Sequence, residues 1–468
     1  MNLHFLLTDY LIWFLVVVSV FYAVYVSRHE YLLAPWRQVL HSHVGAATGV
    51  VLAAYVCIGL LDSVHYYPTV QADSPEGGVV VSTELLSVFD VIVTPMRTQV
   101  ETTYSKPFAL HSFSKKTLEL DGGGQVRSYP RLKYAGSHLG AEDSAAPCAD
   151  ILWKGFTGAL YGLDAWLVLL ILLCLIRARG APLEFLQQLK NTLLKSSALR
   201  TASLVTLLLF LIVGATYYLS GYYHVWGTDK VGYDVFYITL KSIRTGLVIG
   251  TLTTLVMLPL ALILGMSAGY FKGWVDDVVQ YLYTTLNSIP GILLIAAAVL
   301  MLDVYMYNHA DQFTSVIERA DWRLFFICLI LGITNWTGLC RLLRAETLKL
   351  REMDYVNAAT AFGVRNRTIL IRHLLPNVMH LVLISIVLDF SGLVLAEAVL
   401  SYVGIGVDPT THSWGNMINS ARLEMAREPM VWWALTSSFI AMFILVLCAN
   451  LFTDVVRDAF DPRLRERT

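Results

Sequence analysis

Charge is scarce in this chain. Only 15% of its 468 residues are Asp, Glu, Lys or Arg, while 56% are apolar. Soluble domains average about 25% charged and about 45–50% apolar residues. Both deviations point to a membrane protein. The net charge of −1 identifies no partner by its sign. Cysteine is sparse as well. Cys57, Cys174, Cys328, Cys340 and Cys448 lie in or beside apolar runs, and Cys148 lies in a polar stretch. None has CxxC spacing, which argues against a disulfide framework or a thiolate metal site. The His residues show no HExxH pattern, so metal catalysis has no support and no cofactor is expected. No G-x-x-x-x-G-K-[ST] pattern occurs, so the chain is not expected to hydrolyse ATP. No Lys or Arg precedes the first apolar run, which argues against a cleaved signal peptide. Tandem repeats and low-complexity tracts are absent.

What is present is apolar sequence in long runs. A spanning helix needs about 20 mostly apolar residues. Nine stretches qualify: Tyr10–Val26, Val44–Leu61, Phe156–Ile176, Ser203–Tyr218, Leu247–Tyr270, Val278–Leu302, Leu324–Cys340, Val378–Val403 and Trp432–Leu451. The expected fold is an all-α polytopic membrane protein. Lys and Arg in short loops set its orientation. Arg28 and Arg37, Arg177 to Arg200, Lys272, Arg341 to Arg372, and Arg457 to Arg467 all fall on one side. That side is read as cytoplasmic, with the N-terminus outside. Lys230, Lys241, Arg244, Arg319, Arg323, Arg422 and Arg427 fall opposite. The polar segment 62–153 is then exported. It holds β-leaning runs at Gly78–Val81, Val88–Val93 and Thr117–Leu120 and a turn signal at Asp121–Gly124. A small subdomain of mixed strand and loop and an ordered linker both fit this pattern.

The loop between the seventh and eighth spans is unlike an ordinary connector. Tyr355, Ala358, Ala359 and Phe362 fall at i, i+3, i+4 and i+7, one helical face. Two alanines let another surface approach closely. Gly363 sits where a helix should stop and turn. Asn366 is placed to cap a second helix and Pro376 suits the first turn of span eight. Two readings fit: a knob for a cytoplasmic partner's groove, and an interfacial helix on anionic lipid.

This loop resembles the EAA loop of ABC importer permeases, whose pattern is Glu-Ala-Ala, three residues, Gly, nine residues, Ile, one residue, Leu-Pro. Ala358, Ala359, Gly363, Leu375 and Pro376 match in register; Asn357 replaces the Glu and His373 the Ile. Gly227-Thr228-Asp229 with Gly232-Tyr233-Asp234 is similar to an outer signature of the dipeptide/oligopeptide/nickel subfamily, with Tyr233 in place of Arg. Leu400 to Val407 with Ser413-Trp414-Gly415, and Arg457 to Arg465, resemble that subfamily's outer loop and C-terminal tail. On these four ordered motifs the chain is identified as a member of the binding-protein-dependent permeases of DppC/OppC type. The resemblance implies a six-helix permease core over residues 201–468. Residues 1–61 are then a two-helix extension, 62–153 an extracytoplasmic segment, and 154–200 a third extra span with its linker. It also implies a bacterial inner-membrane location and partners: a second homologous permease, two ATP-binding subunits and an extracytoplasmic substrate-binding protein. No nucleic acid is expected. Peptides are the implied cargo; nickel and peptide antibiotics belong to the same subfamily.

Polar residues at membrane depth are the candidate pathway: Asn287, Asp389, Ser391 and Glu397. Helix–helix hydrogen bonding is the plain alternative, favoured for Asn335 and Ser385. Asp234 reads as the cap of a short outer helix, Val235–Arg244. A secondary transporter driven by an ion gradient is the competing function. It would explain the intramembrane acids but not the EAA-type loop, and no inverted pair of broken helices is visible.

Overall fold

A backbone in hydrocarbon must satisfy its own hydrogen bonds, so long apolar runs fold as helices. The computed structural model describes residues 2–71, 79–81, 84–119, 125–140, 147–178, 197–312 and 315–460. Its helices begin with α1 (Leu7–Ser27), α2 (Glu30–His41), α3 (His43–Asp62), α4 (Val88–Ile92), α5 (Thr94–Thr98) and α6 (Pro147–Ala178). They continue with α7 (Ser197–Ser220), α8 (Val235–Phe271), α9 (Trp274–Ser288), α10 (Gly291–Asn308) and α11 (Val316–Arg351). Last come α12 (Asp354–Ala361), α13 (Leu375–Tyr402), α14 (Trp414–Glu424) and α15 (Trp433–Phe460). Among the described residues nine helices are long and apolar enough to cross a membrane: α1, α3, α6, α7, α8, α10, α11, α13 and α15. The all-α polytopic fold expected from the sequence is the one observed.

Three local expectations need correction. The sixth span does not run through Val278–Leu302. Ile289 is extended ahead of Pro290, as residues before proline tend to be, and the helix breaks into amphipathic α9 and apolar α10. Val235–Arg244 is not a separate outer helix but the first part of α8, which continues unbroken for 37 residues. Val88–Val93 is not a strand. Ser87 accepts from the Asp90 N–H at 3.1 Å while Asp90 accepts from the Ser87 N–H at 2.9 Å. This reciprocal cap starts α4 despite the β-branched residues. The turn signal at Asp121–Gly124 and the basic residues Arg179, Lys190, Lys195, Arg463, Arg465 and Arg467 lie outside the described residues.

The chain divides into two compact units. The first comprises Met1–His4, Arg37–Arg244 and His412–Cys448. Its helices α6 and α7 pack backbone to backbone. A Cβ on Gly158 would lie 2.7 Å from the Gly214 carbonyl oxygen, and one on Gly162 would collide with that of Phe210. Small residues permit such close approach in lipid. The described residues of the polar segment hold short paired strands. Strands β1 (Asn2–Leu3), β2 (His65–Tyr67) and β5 (Leu86–Ser87) form one antiparallel sheet. Strands β3 (Thr69–Gln71) and β4 (Val79–Val81) pair, as do β6 (Lys116–Glu119) and β7 (Gln125–Ser128). The sequence places Lys241 among the charges of the outer side, with no partner indicated. It lies on α8, largely buried against Asp90 of α4 at 2.6 Å and Asp62 at 3.6 Å.

The second unit comprises Phe5–Trp36, Thr245–Thr411 and Ala449–Thr468. Helix α11 supplies much of both of its apolar clusters. One joins Leu324, Ile327 and Leu331 to Val248, Val299 and Leu393. The other joins Trp336, Leu339 and Leu343 to Met257, Val356, Ile369 and Val378. Helix α1 is seated here too. Asp321 of α11 accepts from both the backbone N–H and the hydroxyl of Thr8. Leu11 and Ile12 pack against the first cluster.

Candidate functional site

Helix α12 begins with Asp354 in its first turn, where a carboxylate complements the helix dipole. It ends at Gly363, whose φ of 74° few other residues tolerate. There the Val364 N–H reaches the Ala359 carbonyl at 3.1 Å and the Gly363 N–H that of Thr360 at 3.0 Å. This pair of bonds closes the C-terminal turn anticipated from Gly363. Val356 anchors the helix. It is 1% exposed and packs with Ile369, Leu374 and Val378. The opposite side is bare: Phe362 is 86% exposed and Tyr355 41%, with Ala358 exposed alongside. Ala359 departs from the expected face and is half-buried against the apolar cluster. A side chain one position past Ala358 is carried about 100° round the helix, back toward Val356's side.

Neighbouring contacts hold the loop in place. The Tyr355 hydroxyl accepts from Asn377 Nδ2 at 3.1 Å. Asn357 Nδ2 donates to the Glu352 carbonyl at 3.3 Å. Lys272 lies 2.8 Å from Glu352 and holds that carboxyl below its ordinary range. Asn366 does not cap the next helix. It lies within the first turn, and its Oδ1 accepts from the Tyr270 hydroxyl at 3.0 Å. Residues Ile369–Leu374 then form a π-helical stretch running straight into α13. Leu375 packs against the cluster and Pro376 sits in the first turn of α13.

The candidate pathway residues fall on two helices. Asp389, Ser391 and Glu397 lie on α13 and Asn287 on α9. Asn287 Oδ1 accepts from Thr337 at 3.2 Å. Glu397 is 2% exposed and accepts from Ser401 at 2.8 Å. Buried Ser391 has no hydrogen-bond partner for its hydroxyl among the described residues. Asp389 is half-buried and has no polar partner there either. Asn335 bonds the Leu331 carbonyl of its own helix at 2.8 Å, rather than a neighbouring helix as expected.

The outer motif is a tightly bonded loop in the first unit. Asp229 Oδ1 accepts from the backbone N–H groups of Val231, Gly232 and Tyr233 at 2.8–2.9 Å. Gly227 and Gly232 take positive φ, and a Cβ on either would strike the backbone of Ser105 or Glu101. Thr228 Oγ1 accepts from the Ser105 N–H at 2.6 Å, and the Trp433 indole donates to the Thr228 carbonyl at 2.9 Å. Asp234 caps α8, accepting from the N–H groups of Phe236 and Tyr237. It also holds His224 Nδ1 at 2.8 Å, with Glu101 3.8 Å from the other ring nitrogen. Burial would raise the Glu101 carboxyl, yet His224 and three backbone N–H groups hold it at about 2. Burial would lower His224, yet Asp234 and Glu101 lift it to about 9. Both are thus charged at neutral pH. Glu101, His224, Asp90 and Lys241 were not singled out from the sequence. A lone Asp in the apolar run at Val88–Val93 and a lone Lys at the edge of a span were the available signals.

The chain matches the family described as "Binding-protein-dependent transport system inner membrane component" over residues 261–466. It is 32% identical to the glutathione transport system permease protein GsiD of Pectobacterium atrosepticum, over 52% of this chain and 73% of the relative. It is 29% identical to the oligopeptide transport system permease protein OppC of Haemophilus influenzae, over 52% and 71% respectively. It is 30% identical to the dipeptide transport system permease protein DppC of Lactococcus lactis, over 52% and 65%. With the EAA-type loop in register and apolar helices throughout, the chain belongs to the binding-protein-dependent ABC transporter permeases and is a multi-pass membrane protein of DppC/OppC type.

Proposed function

We propose that this chain is a translocating subunit of an ABC importer for peptides in a bacterial inner membrane. It pairs there with a second homologous permease, two ATP-binding subunits and an extracytoplasmic binding protein. Residues 201–468 are the permease domain. The observation that carries this reading is the anchored knob of α12, with Val356 sunk in the core and Phe362, Tyr355 and Ala358 presented outward. An apolar projection on a rigid helix suits a groove in an ATP-binding subunit and can pass rigid-body motion into α13. Asp389 is the foremost pathway candidate, because an ionisable group at membrane depth faces a cavity or a partner. Peptides are the cargo favoured by the named relatives, which are glutathione, oligopeptide and dipeptide permeases.

Proteoliposomes holding the assembled complex and supplied with binding protein should import peptide only with ATP inside. Uptake driven by a proton or sodium gradient alone would replace this reading with the secondary transporter. The proposed orientation puts α12 in the cytoplasm and residues 62–153 outside. A reporter fused after Thr468 should be active in the cytoplasm, and one inserted near Gly123 active outside. Reversed activities would invert the topology.

A further inference from the structure

One concave site carries chemistry that the coupling loop does not use. A cavity of about 470 Å³ lies wholly within the second unit, where α10 ends and α11 begins. Its volume falls in the range of about 300–1,000 Å³ typical of ligand pockets. Its wall mixes both signs of charge with apolar surface. Asp303, Met306 and Tyr307 come from α10, Arg319 and Arg323 from the first turns of α11, and Asp408 from the loop after α13.

The two arginines are in different situations. Arg323 is engaged: Nη1 lies 3.1 Å from Asp303, and Nε donates to the Gly406 carbonyl at 3.1 Å. These contacts hold Asp303 in place at the rim. Arg319 is exposed and has no carboxylate partner among the described residues. Its guanidinium stays charged at any working pH and suits a carboxylate through paired N–H donors. Asp408 is buried, with Oδ1 accepting from Thr410 N–H at 3.0 Å and its hydroxyl at 2.7 Å. The cavity thus brings together a cation with no carboxylate partner among the described residues, two carboxylates already held by neighbours, and apolar surface. A ligand that meets all three is a short molecule carrying a free carboxylate and a free ammonium.

We infer that this cavity is an outer subsite for short peptides with free termini. The α-carboxylate pairs with Arg319, the α-ammonium lies toward Asp303 and Asp408, and a side chain rests on Tyr307 and Met306. The inference rests on the peptide-importer reading and adds to it a site where the permease itself contacts cargo.

The test uses the assembled transporter in nanodiscs without binding protein, titrated with the dipeptide Ala-Phe, its C-terminal amide and its N-acetyl form. Ala-Phe should bind saturably, and both blocked forms about tenfold or more weakly, as expected for loss of one charge-assisted contact. Arg319→Gln should weaken Ala-Phe by a similar factor while leaving the affinity for the amide unchanged. Arg319 is exposed and its side chain makes no hydrogen bond or ion pair among the described residues, so this variant should fold normally. Equal binding of Ala-Phe and its amide, an Arg319→Gln variant that binds as wild type, or no saturable binding would overturn the subsite. ATP-driven peptide uptake measured in parallel separates the two readings. If uptake persists, only the subsite is lost; if uptake itself is absent, the importer reading fails first.

Discussion

Replacing Phe362 with Asp is expected to leave the permease in the membrane at its normal level while stripping it of its ATP-binding subunits. Phe362 is 86% exposed, so the change removes almost nothing from the fold of this chain. A buried aromatic anchor at a protein interface is typically worth about 2 kcal/mol or more, and a charge left in its pocket adds to the loss. At about 1.4 kcal/mol per tenfold, docking should weaken by roughly 30-fold or more. Ala358→Arg should act in the same direction, since Ala358 is exposed on the same side of α12. Ala359→Arg is a poorer probe, because Ala359 is half-buried and its enlargement would disturb the cluster around Val356. If α12 lay on anionic lipid instead, Ala358→Arg would strengthen its attachment. The measurement is co-purification of the ATP-binding subunits with each variant, set against permease recovered from the membrane. Normal recovery with both Phe362→Asp and Ala358→Arg would end the coupling-helix assignment.

The largest stability effect is expected at Asp90. Its carboxylate is contacted by Lys241 Nζ at 2.6 and 2.7 Å, by the Tyr237 hydroxyl at 2.8 Å and by the Ser87 N–H at 2.9 Å. Burial favours its neutral form, but Lys241 and these donors keep its pKa below the ordinary value. Asp90→Ala would leave an ammonium largely buried and remove the carboxylate half of the α4 cap as well. Breaking a buried pair from one side costs about 3–5 kcal/mol. Asp62, 3.6 Å from the same ammonium, should keep the loss toward the lower end of that range. Thermal unfolding of the purified permease in detergent should show a clear fall in Tm for Asp90→Ala. Adding Lys241→Met should restore part of it by removing the stranded charge. An equal fall in single and double variants would mean that the cap and packing, not the ion pair, account for the loss.

Much of this protein was legible in contiguous residues. The spans were, because about 20 apolar residues in a row have one low-energy form in hydrocarbon. The end of α12 was, because positive φ at Gly363 is a property of one residue and its immediate neighbours. The cap at Asp234 was for the same reason: its acceptors serve N–H groups two and three residues away. Tertiary structure alone decided the rest. Lys241 and Asp90 stand 151 positions apart, and local sequence marks each only as a lone charge beside apolar residues, never as the other's partner. Thr8 reaches Asp321 across 313 positions, which seats the first helix against α11. Ala359 shares the helical period of Phe362, yet a period gives a face only relative to what covers it. The apolar cluster around Val356 set which side of α12 turned inward. Charge pairing and burial act between surfaces brought together by folding, so their outcome lies in the packing and not in the spacing of residues along the chain.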